Sequence, residues 1–328
     1  MYRSRVAGTG SYLPERRLTN ADLEKMVDTS DSWITDRTGI RARHIAAEGQ
    51  YTTDLAYQAA TRALEMSGLK PTDLDLIIFA TVTPDQVMPS SSCILQQKLG
   101  CGSIPSFDLS AACTGFVYSL TVANQFIQTG MYKNVLVIGA EILSRIMNYK
   151  DRETCILFGD GAGAFIVSRA EEGTDSQFLS SHLYAEGQFG DLITLPGGGS
   201  RNPLSQRVLD EGLHFMTMKG REIFKHAVRT LIRCSEEALT KHGLTVEDVD
   251  WVVAHQANIR ILEAVQKGLR VAKEKVIINI EDMGNTSAAT IPFAFDNAVR
   301  AGKIKRGQLC LLAAFGAGIT SGSLLLRY

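Results

Sequence analysis

The sequence has almost no excess of either charge: 34 Lys and Arg stand against 35 Asp and Glu, a formal net charge of -1 over 328 residues. So balanced a molecule has no overall field to hold a polyanion, which excludes nucleic acid as a general partner and leaves acidic ligands to local patches. Long apolar runs are missing too. A membrane span needs about 18 to 20 uninterrupted apolar residues, and the most apolar stretch, Leu309 to Leu326, is broken by Gly316, Gly318 and Gly322. It reads as buried strands, so no membrane partner is expected. Met1 to Gly10 carries Arg3 and Arg5 without the apolar segment of a secretory leader, and a cytoplasmic location is expected. Cysteine is sparse: Cys93, Cys101, Cys113, Cys155, Cys234 and Cys310 form no CxxC pair and none lies near histidine at zinc spacing. They read as reduced thiols, with no disulfide framework and no metal.

What is present is an ordinary globular composition, 45% apolar and 21% charged, at a length that suggests about two units. Comparing the sequence with itself gives them. Ala63 to Leu69 followed by Asp73 to Ile78 lines up with Ala238 to Leu244 followed by Asp248 to Val253, and Asn134 to Ile138 falls on Gln308 to Leu312 at nearly the same offset. A duplication at a fixed period reports architecture. Each copy reads helix, glycine stop, buried strand, helix, buried strand. Thr53 to Ser67 is a periodic helix ending at Gly68, and Leu76 to Thr81 is a short apolar strand. The strand Ile104 to Leu109 and helix Thr114 to Thr129 are matched by a strand Val276 to Ile280 and helix Thr286 to Arg300. Runs such as Val135 to Ile138 have both faces apolar, which predicts an α/β fold with helices on each side of a sheet. The break should fall in the polar stretch Glu171 to Ser176, giving halves 1–172 and 173–328. Pro196 to Gly212 reads as a long surface loop.

In open α/β sheets, sites form where strands end and helices begin. Cys113 lies at such a junction, in Ser110-Ala111-Ala112-Cys113-Thr114-Gly115-Phe116, where a helix N-terminus favours a thiolate. The comparable junction of the second copy is Gly284-Asn285-Thr286-Ser287-Ala288. His255 follows the strand that repeats Leu76 to Phe79. Alone, each has a plain reading: a packed small thiol, a satisfied histidine, a helix cap. Their joint placement at three equivalent junctions predicts one central crevice. Gly159-Asp160-Gly161-Ala162-Gly163-Ala164 lacks the Lys-Ser/Thr of a P-loop and runs into a strand, so it is no phosphate cradle. Its partner Phe315 to Ile319 can bring backbone N–H groups close to a ligand. Arg221, Lys225, Arg229 and Arg233 form one basic stripe on a helix, either a solvated face or a surface for an acidic partner.

The motifs around Cys113 and Asn285, with His255-Gln256-Ala257-Asn258 and Phe158 to Ala164, together resemble the β-ketoacyl-acyl carrier protein synthase III family across essentially the whole chain. The resemblance implies the thiolase-like fold, two βαβαβαββ halves in a five-layer αβαβα stack, in a cytoplasmic homodimer. It implies an acyltransferase that condenses an acyl-coenzyme A primer with malonyl-acyl carrier protein, releasing carbon dioxide and coenzyme A, with no metal or redox cofactor. Carried over, Cys113 is the acylated nucleophile, and His255 and Asn285 hold the malonyl thioester carbonyl. The backbone N–H groups of Cys113 and Gly318 form the oxyanion hole. Trp33, Arg37 and Arg152 hold the adenine end of coenzyme A, and Gly220, Phe224 and Ala257 line the pantetheine tunnel. Gln256, Ala257, Asn258, Ile259, Arg260 and Lys225 meet the carrier, and Met88 reaches the partner's acyl pocket.

Asn285 in place of a second histidine separates the chain from elongating synthases, and Ala317-Gly318 lacks the second cysteine of thiolases. Residue identity alone leaves open a decarboxylative relative of secondary metabolism or long-chain condensation, and a Cys-His-Asn thioester hydrolase. Arg221, where the family commonly has Asn, and the long Pro196 to Gly212 segment depart from the pattern.

Overall fold

Strands apolar on both faces must be covered on both sides, and in the computed structural model, which describes residues 1–328, they are. The Asn134–Ile142 strand is buried at every position. It is central in a five-stranded sheet ordered Ser4–Tyr12, Asp160–Arg169, Asn134–Ile142, Leu76–Ala80, Ser106–Leu109. Along that order the pairs run antiparallel, antiparallel, parallel, parallel. The second sheet is ordered Gln177–Tyr184, Thr320–Arg327, Leu309–Gly316, Trp251–Ala254 and repeats the same pairing sequence through its three pairs. Its expected fifth strand, Val276 to Ile280, is reduced to one parallel bridge between Val252 and Val276. The Asn279 N–H is taken by the Gln256 side chain instead of a ladder partner, and Ile280 already opens the short helix Ile280–Met283.

Five layers result. The helix Thr52–Ser67 covers the outer face of the first sheet, and Gly220–Thr240 covers the outer face of the second, with Ile259–Leu269 packed beside it. Between the sheets lie Gly115–Gln128 and Thr290–Arg300. Each touches both sheets. Phe165 of the first sheet meets Phe116 and Phe295 of these two helices edge-on, each at 5.0 Å between ring centroids. Such packing adds a directional term to the burial of three large rings. Gly163, two residues before Phe165, has a packing role: a Cβ there would stand 2.7 Å from Pro292.

Two local expectations change. The helix expected from Thr286 opens as a tight 3-10 turn, Ser287–Ala289, before Thr290–Arg300. The Pro196 to Gly212 segment is not wholly irregular. It contains the short helix Gln206–Asp210, capped by the Ser205 side chain and anchored by fully buried Val208. No helix is long and apolar enough to cross a membrane.

Candidate active site

The first sheet's edge strand Ser106–Leu109 delivers the chain to a 3-10 turn, Ala112–Thr114, from which the helix Gly115–Gln128 continues. Ala112 is left-handed there, at φ 48°. Ser287 at φ 51° and Ile319 at φ 46° are two of the three other non-glycine residues in that region. All three stand at junctions that border the crevice, which is where strained backbone collects when surrounding structure holds a site open. The junctions are latched together. Thr114 and Thr320 hydroxyls are 3.0 Å apart, and Thr320 also donates to the Ala111 carbonyl at 3.2 Å. Gly316 fits so closely that a Cβ on it would lie 2.8 Å from the Cys113 nitrogen.

A cavity of about 300 Å³ opens at this meeting point, and Cys113, His255 and Asn285 all line it. Cys113 is half-buried in its wall. Burial pushes its thiol up to about 11, helped by the Glu141 charge and opposed by the Ser287 hydroxyl. Burial and the Glu141 charge favour the thiol, and the helix N-terminus opposes them by favouring the thiolate.

His255 follows the Trp251–Ala254 strand, held by its N–H to the Ala313 carbonyl at 2.8 Å. Its Nδ1 lies 2.6 Å from the Thr290 hydroxyl. The same hydroxyl lies 3.0 Å from the Ser287 carbonyl and has one proton to give: when that proton goes to Nδ1, the ring proton stands on Nε2 as a donor, and when it goes to the carbonyl, Nδ1 carries the ring proton. Asn285 is fixed through its backbone, its N–H bonded to the Leu157 carbonyl at 2.8 Å and its carbonyl accepting from Gly159 at 3.0 Å. Its Oδ1 accepts from the Ser287 N–H at 2.9 Å. Asn285 does cap the following turn, but only through its oxygen. The Nδ2 donors are left for the cavity.

Burial pushes the His255 imidazole down from 6.5 to about 3. Between those values the unfolded chain binds a proton that the folded chain refuses, so this contribution to stability is full above 6.5 and is lost as pH falls toward 3. Denaturant unfolding of wild type and His255→Asn across this window checks it. The wild type should lose stability more steeply on acidification, and equal slopes would contradict a neutral buried ring.

The other expected residues divide. Gly220, Phe224, Ala257 and Asn258 line the cavity, as do Gly316 and Ala317. Gly318, left-handed at φ 74°, stands just beyond them. Trp33 lies outside the cavity, with Arg37 and Arg152 stacked on its ring at 4.7 and 4.8 Å. It packs on the same apolar cluster as Met216 and Met218, which line the cavity. Gln256 is not a docking residue. It is fully buried, and its side chain bonds the Ala254 and Ile277 carbonyls and the Asn279 N–H. Ile259 is half-buried against Gly39, where a Cβ would come within 2.7 Å. Arg260 is exposed, with one bond to the Asp36 carbonyl. In the basic stripe, Arg229 and Arg233 pair with Glu186, leaving Arg221 and Lys225 free beside the mouth residues Gly220 and Phe224. Met88 is absent from the cavity of its own chain and 82% exposed, beside Val87 at 92%. Sequence reasoning passed over Thr290, the Thr114–Thr320 latch and Glu141. Of these only Glu141 carries a signal, a charge closing the apolar run from Val135.

Comparison with known proteins agrees with this geometry. Two family models match, 3-oxoacyl-[acyl-carrier-protein (ACP)] synthase III over residues 107–187 and its C-terminal counterpart over residues 239–328. A β-ketoacyl-[acyl-carrier-protein] synthase III of Caldanaerobacter subterraneus is 53% identical over 98% of this chain and 97% of its own. The crystal structure of the Aquifex aeolicus 3-oxoacyl-[acyl-carrier-protein] synthase III superposes with a TM-score of 0.92 at 48% identity, covering 99% of this chain and 100% of that one. A priming β-ketosynthase from the R1128 polyketide pathway gives a TM-score of 0.91 at 33% identity, covering 99% and 97%. Cavity, duplicated topology and full-length identity lead to one conclusion: the chain belongs to the β-ketoacyl-acyl carrier protein synthase III family and has its thiolase-like fold.

Proposed function

We propose that the protein is the condensing acyltransferase that joins an acyl-coenzyme A primer to malonyl-acyl carrier protein, giving 3-oxoacyl-carrier, coenzyme A and carbon dioxide at the start of fatty-acid synthesis. The observation that carries this reading is the single cavity into which two halves of the chain bring Cys113, His255 and Asn285. Cys113 attacks the primer thioester, and N–H groups at Cys113 and Gly318 stabilise the tetrahedral oxyanion. Coenzyme A leaves and the malonyl thioester enters. Its loss of carbon dioxide produces an enolate, whose oxygen takes hydrogen bonds from His255 Nε2 and Asn285 Nδ2. The enolate carbon then attacks the acyl-Cys113 carbonyl, and Cys113 leaves as the thiolate, which takes up one proton from solvent to regenerate the thiol. The chain supplies every group in this sequence, and we assign the reaction no cofactor.

The mouth fits the two substrates in turn. Trp33 with Arg37 and Arg152 offers an aromatic face and cations to a nucleotide, and the apolar wall along Gly220, Phe224 and Ala257 suits a pantetheine arm. The exposed Met88 serves a second copy of the chain, in a homodimer. A polyketide priming role shares this chemistry and differs in the fate of the 3-oxoacyl product, a second reading favoured by the R1128 likeness.

The carrier is acidic, and Arg221, Lys225 and Arg260 are exposed cations beside the cavity mouth. Lys225→Glu should raise the Michaelis constant for malonyl-carrier about ten-fold at low salt, with acylation by acyl-coenzyme A little changed, and added salt should narrow the gap. Steady-state kinetics with each substrate varied in turn checks it. Equal losses with both substrates would make the stripe structural.

A further inference from the structure

Burial separates the deep end of the cavity from its mouth. Gly220 is exposed and Phe224 is 38% exposed, whereas Leu143, Leu157 and Phe158 are 2%, 9% and 6% exposed. Val82 also lines the cavity and packs on the same apolar cluster as these three, so the four residues form its floor. Leu143 is held from both sides: the Ile142 N–H donates to Thr83 Oγ1 at 2.9 Å and the Ser144 N–H to the Asp160 carboxylate at 2.9 Å. Leu157 is held through its carbonyl, which takes the Asn285 N–H. Val82 belongs to no helix or strand. Its N–H is bonded only to Glu141.

Glu141 has no solvent exposure and no part in the chemistry set out above. Its carboxylate gathers one short piece of chain. It accepts from the Thr81 and Thr83 hydroxyls at 3.1 and 2.5 Å and from the Thr83 N–H at 3.1 Å, while the Val82 N–H reaches both its oxygens at 3.0 and 3.2 Å. Oε2 alone takes four of these bonds. A buried carboxylate is costly unless its lone pairs are filled, and here three consecutive residues fill them. The next anchors of the loop lie past Val82, where Thr52 Oγ1 holds the Thr83 carbonyl at 2.6 Å and Thr53 holds the Asp85 carboxylate.

We propose that Glu141 is a positioning residue for primer size, acting through Val82 to fix the wall that limits the length of the acyl chain. Glu141 has this role only if the primer is an acyl-coenzyme A, as proposed above. Coenzyme A leaves by the exposed mouth, so the acyl group, the other substituent of the thioester carbonyl, is directed to the buried floor. An apolar wall discriminates by room, one methylene counting for about ten-fold or more. It does so only while it does not yield. A wall on a strand is held by its ladder, but Val82 stands on irregular chain, and the bonds to Glu141 take the ladder's place.

Single-turnover acylation by labelled acetyl-, butyryl-, hexanoyl- and octanoyl-coenzyme A is measured on wild type, Glu141→Gln, Glu141→Ala, Val82→Ala and the Val82→Ala/Glu141→Ala double variant. The quantity read is the ratio of the octanoyl to the acetyl rate constant. A general loss of stability lowers both rates by one factor and leaves that ratio where it was. With the wall freed, the ratio should rise about ten-fold in Glu141→Ala. Glu141→Gln keeps the shape, but an amide oxygen has two lone pairs for the four donors at Oε2, so its ratio should rise by less. Val82→Ala widens the same wall directly, and because Glu141 acts through Val82, the double variant should rise by less than the product of the two single effects. An unchanged or lower ratio in Glu141→Ala, or a double variant equal to that product, would overturn the proposal and leave Glu141 as an anchor of the Thr81–Thr83 loop. If Glu141→Ala does not fold, an unchanged ratio in Glu141→Gln overturns it alone. Wild-type protein that forms no acyl-enzyme with any of the four primers would instead defeat the acyl-coenzyme A reading itself, and the role of Glu141 with it.

Discussion

Cys113→Ala is expected to form no acyl-enzyme and no condensation product, yet still to release carbon dioxide from malonyl-carrier. The substitution removes the sulfur and little else, because the turn is held by backbone and by the Thr114–Thr320 latch, not by the thiol. His255 keeps its bond to Thr290 and Asn285 its bond to Ser287. The enolate oxygen therefore still finds both donors. Condensation should fall by about 10⁴-fold or more, the scale of deleting a covalent nucleophile. Labelled acyl transfer and carbon dioxide release on one preparation give both numbers. A variant that loses decarboxylation along with condensation would show that the sulfur, not the donor pair, organises the malonyl group.

The converse pattern is expected of His255→Ala and Asn285→Ala: decarboxylation lower by about 100-fold or more, with acyl transfer to Cys113 surviving. A donor aimed at developing charge in a dry pocket contributes about 3 kcal/mol to the transition state, and each variant deletes one. Asn285 needs a control, since its Oδ1 also holds the Ser287 N–H. Asn285→Asp keeps that acceptor and replaces the amide donor by a carboxylate. If the donor matters, Asp should be as poor as Ala. If the cap matters, Asp should restore activity, and Asn285 would be a structural residue after all. Loss of acylation in His255→Ala would make the imidazole the base for Cys113.

The positions of Cys113, His255 and Asn285 were legible because duplication converts sequence offset into spatial equivalence, and strand ends face one crevice. Apolar runs such as Val135 to Ile138 foretold the covered sheets for the same reason: period and burial are local. What failed depends on distant chain. Gln256 reads as a polar loop residue, but its burial is set by carbonyls at Ala254 and Ile277 and an N–H at Asn279. The strand expected over Val276 to Ile280 dissolves for the same contact. The helix end at Cys113 is legible in sequence, whereas burial by walls from both halves, which pushes the thiol up, is not. Glu141 drew no reading from sequence, because its partners come from the separate Thr81–Thr83 loop.

The two inner helices make the halves depend on one another. Gly115–Gln128 comes from the first copy but also rests on the second sheet, and Thr290–Arg300 comes from the second copy but also rests on the first. A single copy standing alone would leave its inner helix with one face bare, an apolar surface that water does not tolerate. Each half therefore needs the other, or a twin of itself related by a two-fold axis, to close the sandwich.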